Sequence, residues 1–153
     1  MKQVFNIKGI VMNEDFVSFS LAKKLKEKGF YRKCVSTYDN DGMLGYNYIQ
    51  PTSIRAIGFD DCLCSHNAEN DGCIDAPTIS QVLKWLREEQ KIHIEFVAAA
   101  YGYNYIVSDT PEKGGTDRHY SHTKYEGPND GGAWDKYEEA ALAGIEYCLD
   151  NLI

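Results

Sequence analysis

Within one stretch, residues 76–100 (APTISQVLKWLREEQKIHIEFVAAA), the apolar positions change from a helical spacing to a strand spacing. Ile79, Val82, Leu83 and Leu86 share one side of a helical wheel, with Trp85 at its edge and Lys84, Arg87 and Glu88 opposite. Thr78 stands three positions before Gln81, as in a capping box, and Pro77 blocks extension of the helix backwards. The period then falls to two. Ile92, Ile94, Phe96 and Ala98 alternate with His93, Glu95, Val97 and Ala99, as a strand with one face on a core requires. Tyr101-Gly102 reads as a turn, and residues 103–109 alternate again. The unit is helix, strand, turn, strand.

An earlier part of the chain has the same order. Ser18 is the N-cap of a helix carrying Leu21, Ala22 and Leu25 on its buried side and Gly29 at its stop. Residues 33–38 and a second strand ending at Ile49 flank the turn Asp39-Asn40-Asp41-Gly42. A shift of 61 positions pairs Leu21 with Val82, Ala22 with Leu83 and Leu25 with Leu86, and GYNYI occurs at 45–49 and again at 102–106. The expectation is one α+β domain over residues 1–153. Two helix–hairpin units, about 18–49 and 78–109, form a largely antiparallel four-stranded sheet with helices on one side. Chance likeness of short tyrosine-rich strands is the competing account of the repeat.

Residues 1–12 are apolar enough for an edge strand or a packed arm, and 54–59 for a short extra strand. Residues 110–133, with five glycines and two prolines, read as a long connection without structure of its own. A third helix closes the chain over about 135–152, with Asp135 and Glu138 at a capping-box spacing. Its broad apolar face comprises Tyr137, Ala141, Ile145, Cys148, Leu149 and Leu152.

Charged residues at 25% and apolar residues at 43% are ordinary for a folded soluble protein. No apolar run approaches the roughly 20 residues of a membrane helix, and Asn6 and Lys8 interrupt any signal-peptide core. The expected location is the cytoplasm, with no membrane association. Five cysteines, an odd and scattered set, read as free thiols in a reducing compartment. A net charge of −7 opposes binding to a phosphate backbone, so nucleic acid is an unexpected partner. The local basic cluster Lys23, Lys24, Lys26, Lys28, Arg32 and Lys33 reads as a solvated helix face.

Cys62, Cys64, His66 and Cys73 lie close together, but their spacing matches none of the usual zinc modules. Asp39-Asn40-Asp41-Gly42 opens like a calcium loop, yet Tyr48 stands where a bidentate Glu is needed. No metal and no cofactor are therefore expected, and no catalytic residue is assigned. His119 and His122, with Asp117 and Tyr120, are the one candidate ligand site, an acid–base or ligand set if the 110–133 segment folds down over the sheet. Solvated loop histidines are the plainer account.

Tyr46 and Tyr48 share a sheet face, as do Tyr103 and Tyr105. Pointing at the helices they are core; pointing outward they make an aromatic platform for bases or a protein interface. Cross-strand register decides between the two.

The blocks VSFSLAKKLKEKGF, YDNDG, APTISQVLKWLREEQKIHIEF and YEEAALAGIEYCLDNLI resemble a family of short uncharacterised proteins. These are encoded in prophages and mobile elements of Bacteroides-type gut bacteria. The resemblance implies a phage or mobile-element setting and transfers no active site. With no phosphate-cradling glycine loop, nucleophile elbow or catalytic carboxylate pair in the chain, the expected function is non-enzymatic. The chain is expected to bind a protein partner or itself as a homo-oligomer. An enzyme or small-ligand binder closed by residues 110–133 is the alternative, and single-stranded nucleic acid on a tyrosine platform is a weaker one.

Overall fold

The structure, a computed structural model, describes residues 3–7, 10–46 and 73–153. The fold is α+β with antiparallel strand pairing and a long C-terminal helix. The described strands lie in three sheets, in the orders β1-β2, β4-β3-β5 and β6-β7-β8. The two hairpins therefore belong to separate sheets and do not build the expected four-stranded one. The chain divides into two compact units, residues 1–78 and 79–153.

In the first unit, β1 (Gln3–Ile7) and β2 (Ile10–Glu14) form an antiparallel hairpin where an edge strand or a packed arm was expected. Helix α1 (Phe19–Glu27) starts as predicted: the Ser18 hydroxyl accepts a hydrogen bond from the Leu21 N–H at 3.3 Å. Leu21, Ala22 and Leu25 are buried, and the helix stops at Gly29, whose φ of 86° favours glycine. The strands β3 (Ser36–Tyr38) and β4 (Leu44–Tyr46) pair across the predicted turn, and β5 (Ile74–Asp75) adds to the other side of β3. The Tyr38 hydroxyl donates to the Val17 carbonyl. Tyr48, the proposed strand at 54–59, and Cys62, Cys64 and His66 lie outside the described residues.

In the second unit, α2 (Ile79–Trp85) runs into a π-helical turn (Leu86–Gln90) that ends with Lys91 in the left-handed conformation, φ 59°. Trp85, expected at the edge of the apolar side, is fully buried, while Leu83 is only half so. The strands β6 (Ile92–Ala99) and β7 (Gly102–Asp109) pair over their full length, Ile92 opposite Asp109 and Ala99 opposite Gly102.

The segment 110–133, expected to lack structure, contains a 3-10 turn (Pro111–Lys113), the strand β8 (Asp117–Tyr120) and a second 3-10 turn (Ser121–Lys124). Pairing of β8 with β7 puts His119 opposite Val107 and Tyr120 opposite Ile106. Four alternating residues among glycines are too short a run to announce a strand; the open edge of β7 is what recruits them.

Helix α3 (Tyr137–Asn151) buries Ala140, Ala141, Gly144, Ile145, Cys148 and Leu149. A Cβ on Gly144 would stand 3.2 Å from the Tyr105 ring and 3.3 Å from Ile94, which is how closely the helix seats on the sheet. Tyr137 and Leu152, expected on that face, are 41% and 38% exposed. Asp135 does not cap the helix: Lys136 is the N-cap residue, without a side-chain bond, and the Asp135 carboxylate accepts instead from the Asn129 amide at 3.0 Å. Glu138 and Glu139 still put negative charge at the positive end of the helix dipole. Among the described residues, no helix is long and apolar enough to cross a membrane.

Candidate functional site

Register decides the fate of the tyrosines. Tyr105 lies opposite Phe96 and Val107 opposite Ile94, so Tyr105 shares the face that α3 covers and is 2% exposed. Its ring packs against Trp134, Tyr147 and His119, with centroids 5.4, 6.4 and 5.7 Å away. Tyr103 is half-buried edge-on to Tyr137 at 6.2 Å. Tyr105 belongs to the core and Tyr103 to its margin beside α3, so the two do not form the outward platform. Tyr46 ends β4, and its ring and Tyr48 are not among the described side chains.

Pairing opposite Val107 turns His119 inward, and pairing opposite Ile106 turns Tyr120 outward. The register shift between Val107 and Ser108 sets Asp117 opposite Ser108 and so on the outer side too, and His122 is exposed in the following 3-10 turn. His119 is 5% exposed and stacks on Tyr147 at 3.9 Å. Its Nε2 stands 2.8 Å from one carboxylate oxygen of Glu126, which lies off the line of the ring N–H. The other oxygen of Glu126 accepts from the Tyr105 hydroxyl at 2.8 Å. One carboxylate thus bridges an imidazole and a phenol. Burial first, and then the hydrogen bond to Glu126, raise the Tyr105 pKa far above the ordinary phenol range, so Tyr105 stays a donor. Beneath them the Ser121 hydroxyl, fully buried, accepts from the Tyr105 N–H at 2.9 Å and reaches the Asn104 side-chain oxygen at 3.3 Å.

The four candidates at 117–122 are therefore not one site. Asp117 accepts from the Tyr120 hydroxyl, which raises the Tyr120 pKa chiefly through that bond, and His122 lies edge-on to Tyr120 at 5.6 Å. His119 is across the strand from them, sealed between Tyr147 and Glu126. Packing on both sides suits the imidazole to holding the 117–126 segment on the sheet. Among the described residues no group of histidine, cysteine and acidic side chains is arranged to hold a metal ion.

Beyond β8 the glycines wind into an ordered turn around Asn129. The Asn129 side-chain oxygen accepts from the N–H groups of Gly131 (3.1 Å) and Ala133 (2.8 Å). Its amide donates to the Tyr101 carbonyl at 2.8 Å as well as to Asp135. The turn closes through Gly132 N–H to Asn129 O, 2.9 Å, and Asn129 N–H to Ala133 O, 3.2 Å. Asp39 makes the same four bonds in the first unit: its carboxylate accepts from Asp41 and Met43, its carbonyl from Gly42, and its N–H donates to Met43. In both turns the residue three positions on is a glycine at positive φ, Gly42 at 79° and Gly132 at 66°.

Two tyrosines rest on the second turn and point away from the protein. A Cβ on Gly131 would stand 2.4 Å from the Tyr101 ring, and one on Gly132 2.6 Å from the Tyr125 Cβ. Side chains there would displace both rings. Tyr101 is 54% and Tyr125 74% exposed, and Tyr125 is held in the left-handed conformation at φ 50°.

Inspection of the chain as a sequence missed Tyr101, Tyr125, Glu126 and Asn129. The signal for Asn129 was present: an Asx residue followed three positions later by glycine stands at 39–42 and again at 129–132. For Glu126 there was none, because its partners come from β7 and β8.

No protein family, curated protein or solved structure matches the chain.

Proposed function

We propose that this chain is a protein-binding module without catalytic chemistry of its own, working in phage or mobile-element biology. Its contact surface is the end of the second unit formed by Tyr101, Tyr125 and the Gly131-Gly132 turn. The observation that carries this is the pair of exposed tyrosine rings seated on an ordered, Asn129-centred turn. Rigid, exposed tyrosines are the side chains protein interfaces use most as anchors, because they bring large apolar area and a hydroxyl at low entropic cost. Tyr125 strengthens the case. A bulky residue in the left-handed region costs on the order of 1–3 kcal/mol, and its ring repays little of that by packing. The acidic balance of the chain, −7, favours a basic partner surface over a phosphate backbone.

Affinity capture from host lysate, with the parent and a Tyr101→Ala/Tyr125→Ala variant side by side, tests the assignment. One protein recovered reproducibly by the parent and lost with the variant is the expected result. Equal recovery by both, or none by either, refutes it.

A small-ligand site beneath residues 110–133 is the second reading, favoured by the inward turn of His119. Saturable binding of a small molecule, abolished by His119→Gln in a folded protein, would favour it over the first.

A further inference from the structure

The sheet of the second unit has a feature the tyrosine tip does not explain. Among the described strands β6 has a neighbour on one side only, because the order is β6-β7-β8. Edge strands ordinarily carry lysine, proline, a bulge or an inward charge that discourages further pairing. β6 reads IHIEFVAA: it has no lysine, proline or glycine, and its register with β7 is unbroken over eight residues. A strand of this kind is a template for another strand.

The phase of the backbone shows which residues face the open edge. The Lys91 carbonyl accepts from the Thr110 N–H at 3.0 Å, and the β6–β7 register carried back one step sets these two residues opposite each other. Hydrogen-bonded and non-hydrogen-bonded pairs alternate in an antiparallel ladder. His93, Glu95 and Val97 therefore turn their backbone groups toward β7. Ile92, Ile94 and Phe96 turn theirs outward. On the far side of β7 the phase agrees, since Tyr103 exchanges both backbone bonds with Trp134.

We propose that β6 pairs antiparallel with β6 of a second copy about a two-fold axis at Ile94, with His93 of each copy opposite Glu95 of the other. Complementarity between an imidazole that can donate and a carboxylate that accepts selects this occupant and this register. An axis at His93 sets His93 against itself, one at Glu95 sets two carboxylates together, and one at Phe96 leaves Glu95 opposite Val97. Only the axis at Ile94 matches unlike groups in both symmetry-related pairs. It also places Ile92 opposite Phe96 on the core side and lets the outward backbone groups of Ile92, Ile94 and Phe96 exchange both bonds. On the outer face the residues of β7 opposite His93 and Glu95 are Ser108 and Ile106, both uncharged. Glu95 is exposed and His93 half-exposed, so both are available to a second copy. The contact is short, so the dimer is weak and concentration-dependent.

Sedimentation velocity on the full chain, from low micromolar to the limit of solubility, tests this. The parent is expected to show a monomer–dimer equilibrium. His93→Glu and Glu95→Lys, each alone, weaken association by about tenfold or more, because both pairs change together. An equimolar mixture of the two variants restores association, since each then presents what the other lacks. Tyr101→Ala/Tyr125→Ala leaves the dimer unchanged, so loss of the partner surface and loss of self-pairing are read separately. Both charge changes lie on the face away from α3, and unchanged near-ultraviolet dichroism confirms that the variants are folded. A parent that stays monomeric throughout, single variants that dimerise like the parent, or a mixture that fails to re-associate overturns the proposal.

Discussion

Asn129→Ala removes the residue around which the turn at 127–134 is wound. The N–H groups of Gly131 and Ala133, both partly buried, lose their acceptor, and the exposed amide bonds to Tyr101 and Asp135 go as well. Each partly buried bond contributes about 0.5–1.5 kcal/mol net, and the exposed pair adds little, so the expected loss is about 1–3 kcal/mol. Asn129→Asp separates the two halves of the side chain. A carboxylate keeps both N–H groups satisfied, as Asp39 does at the equivalent place in the first unit. It loses the amide donors, however, and sets a second negative charge beside Asp135, 3.0 Å from the present amide. Its expected cost is about 1 kcal/mol, between the parent and the alanine variant. Both tryptophans, Trp85 and Trp134, lie in the second unit, so urea unfolding followed by tryptophan fluorescence reports on that unit. Hydrogen exchange at Gly131 and Ala133 adds a local reading. An alanine variant within about 0.5 kcal/mol of the parent, with those two amides exchanging as before, would refute this account of the turn.

Other expectations follow from the same contacts. Gly127→Ala drives a Cβ to 2.2 Å from the Ala133 backbone, where nothing flexible can yield, and should cost about 3 kcal/mol or more by the same unfolding assay. Asp39→Asn should be nearly neutral, and Asp39→Ala should destabilise the first unit by about 1 kcal/mol or less because both bonds are exposed, read from exchange at Asp41 and Met43. Burial pushes the Cys148 thiol up from 9.0 to about 12, and Tyr105 is raised from its ordinary 10.0 by burial and by Glu126. For both groups the unfolded chain ionises first, so their stabilisation is complete below the unfolded value and is lost as pH rises toward the folded one. Stability of the second unit should fall from about pH 9 upward, and Tyr105→Phe should flatten the part of that slope above about pH 10. Cys34 is likewise pushed up to about 12 by burial and by the Asp75 charge, so native Cys34 and Cys148 should resist alkylation until denaturant is added, as peptide mapping would show.

Much of the second unit was legible in residues 76–109. The switch from helical to alternate spacing located α2, β6 and β7, and the alternation placed Ile92, Ile94 and Phe96 on one face before any register was known. Ser18 and Gly29 marked the ends of α1 in the same local way, since a cap and a positive-φ stop act over a few residues. These features depend on what a residue does to its immediate neighbours, and a sequence records neighbours.

What lay beyond reach depends on distant partners. β8 is a strand because β7 offers an edge, and that pairing turns His119 inward to Tyr147 and Glu126 while His122 stays in water. Trp85 is fully buried although its spacing sets it at the edge of the apolar side, and the Asp135 carboxylate accepts from Asn129 rather than capping α3. Tyr105 is core and Tyr101 is surface, though only a few positions separate them. Residue types and spacings alone therefore determined the helices, the main hairpin and the side of it that is apolar. Only the tertiary structure decided which tyrosines face solvent and which meet α3, because register and long-range hydrogen bonds join residues whose separation along the chain carries no periodic signal.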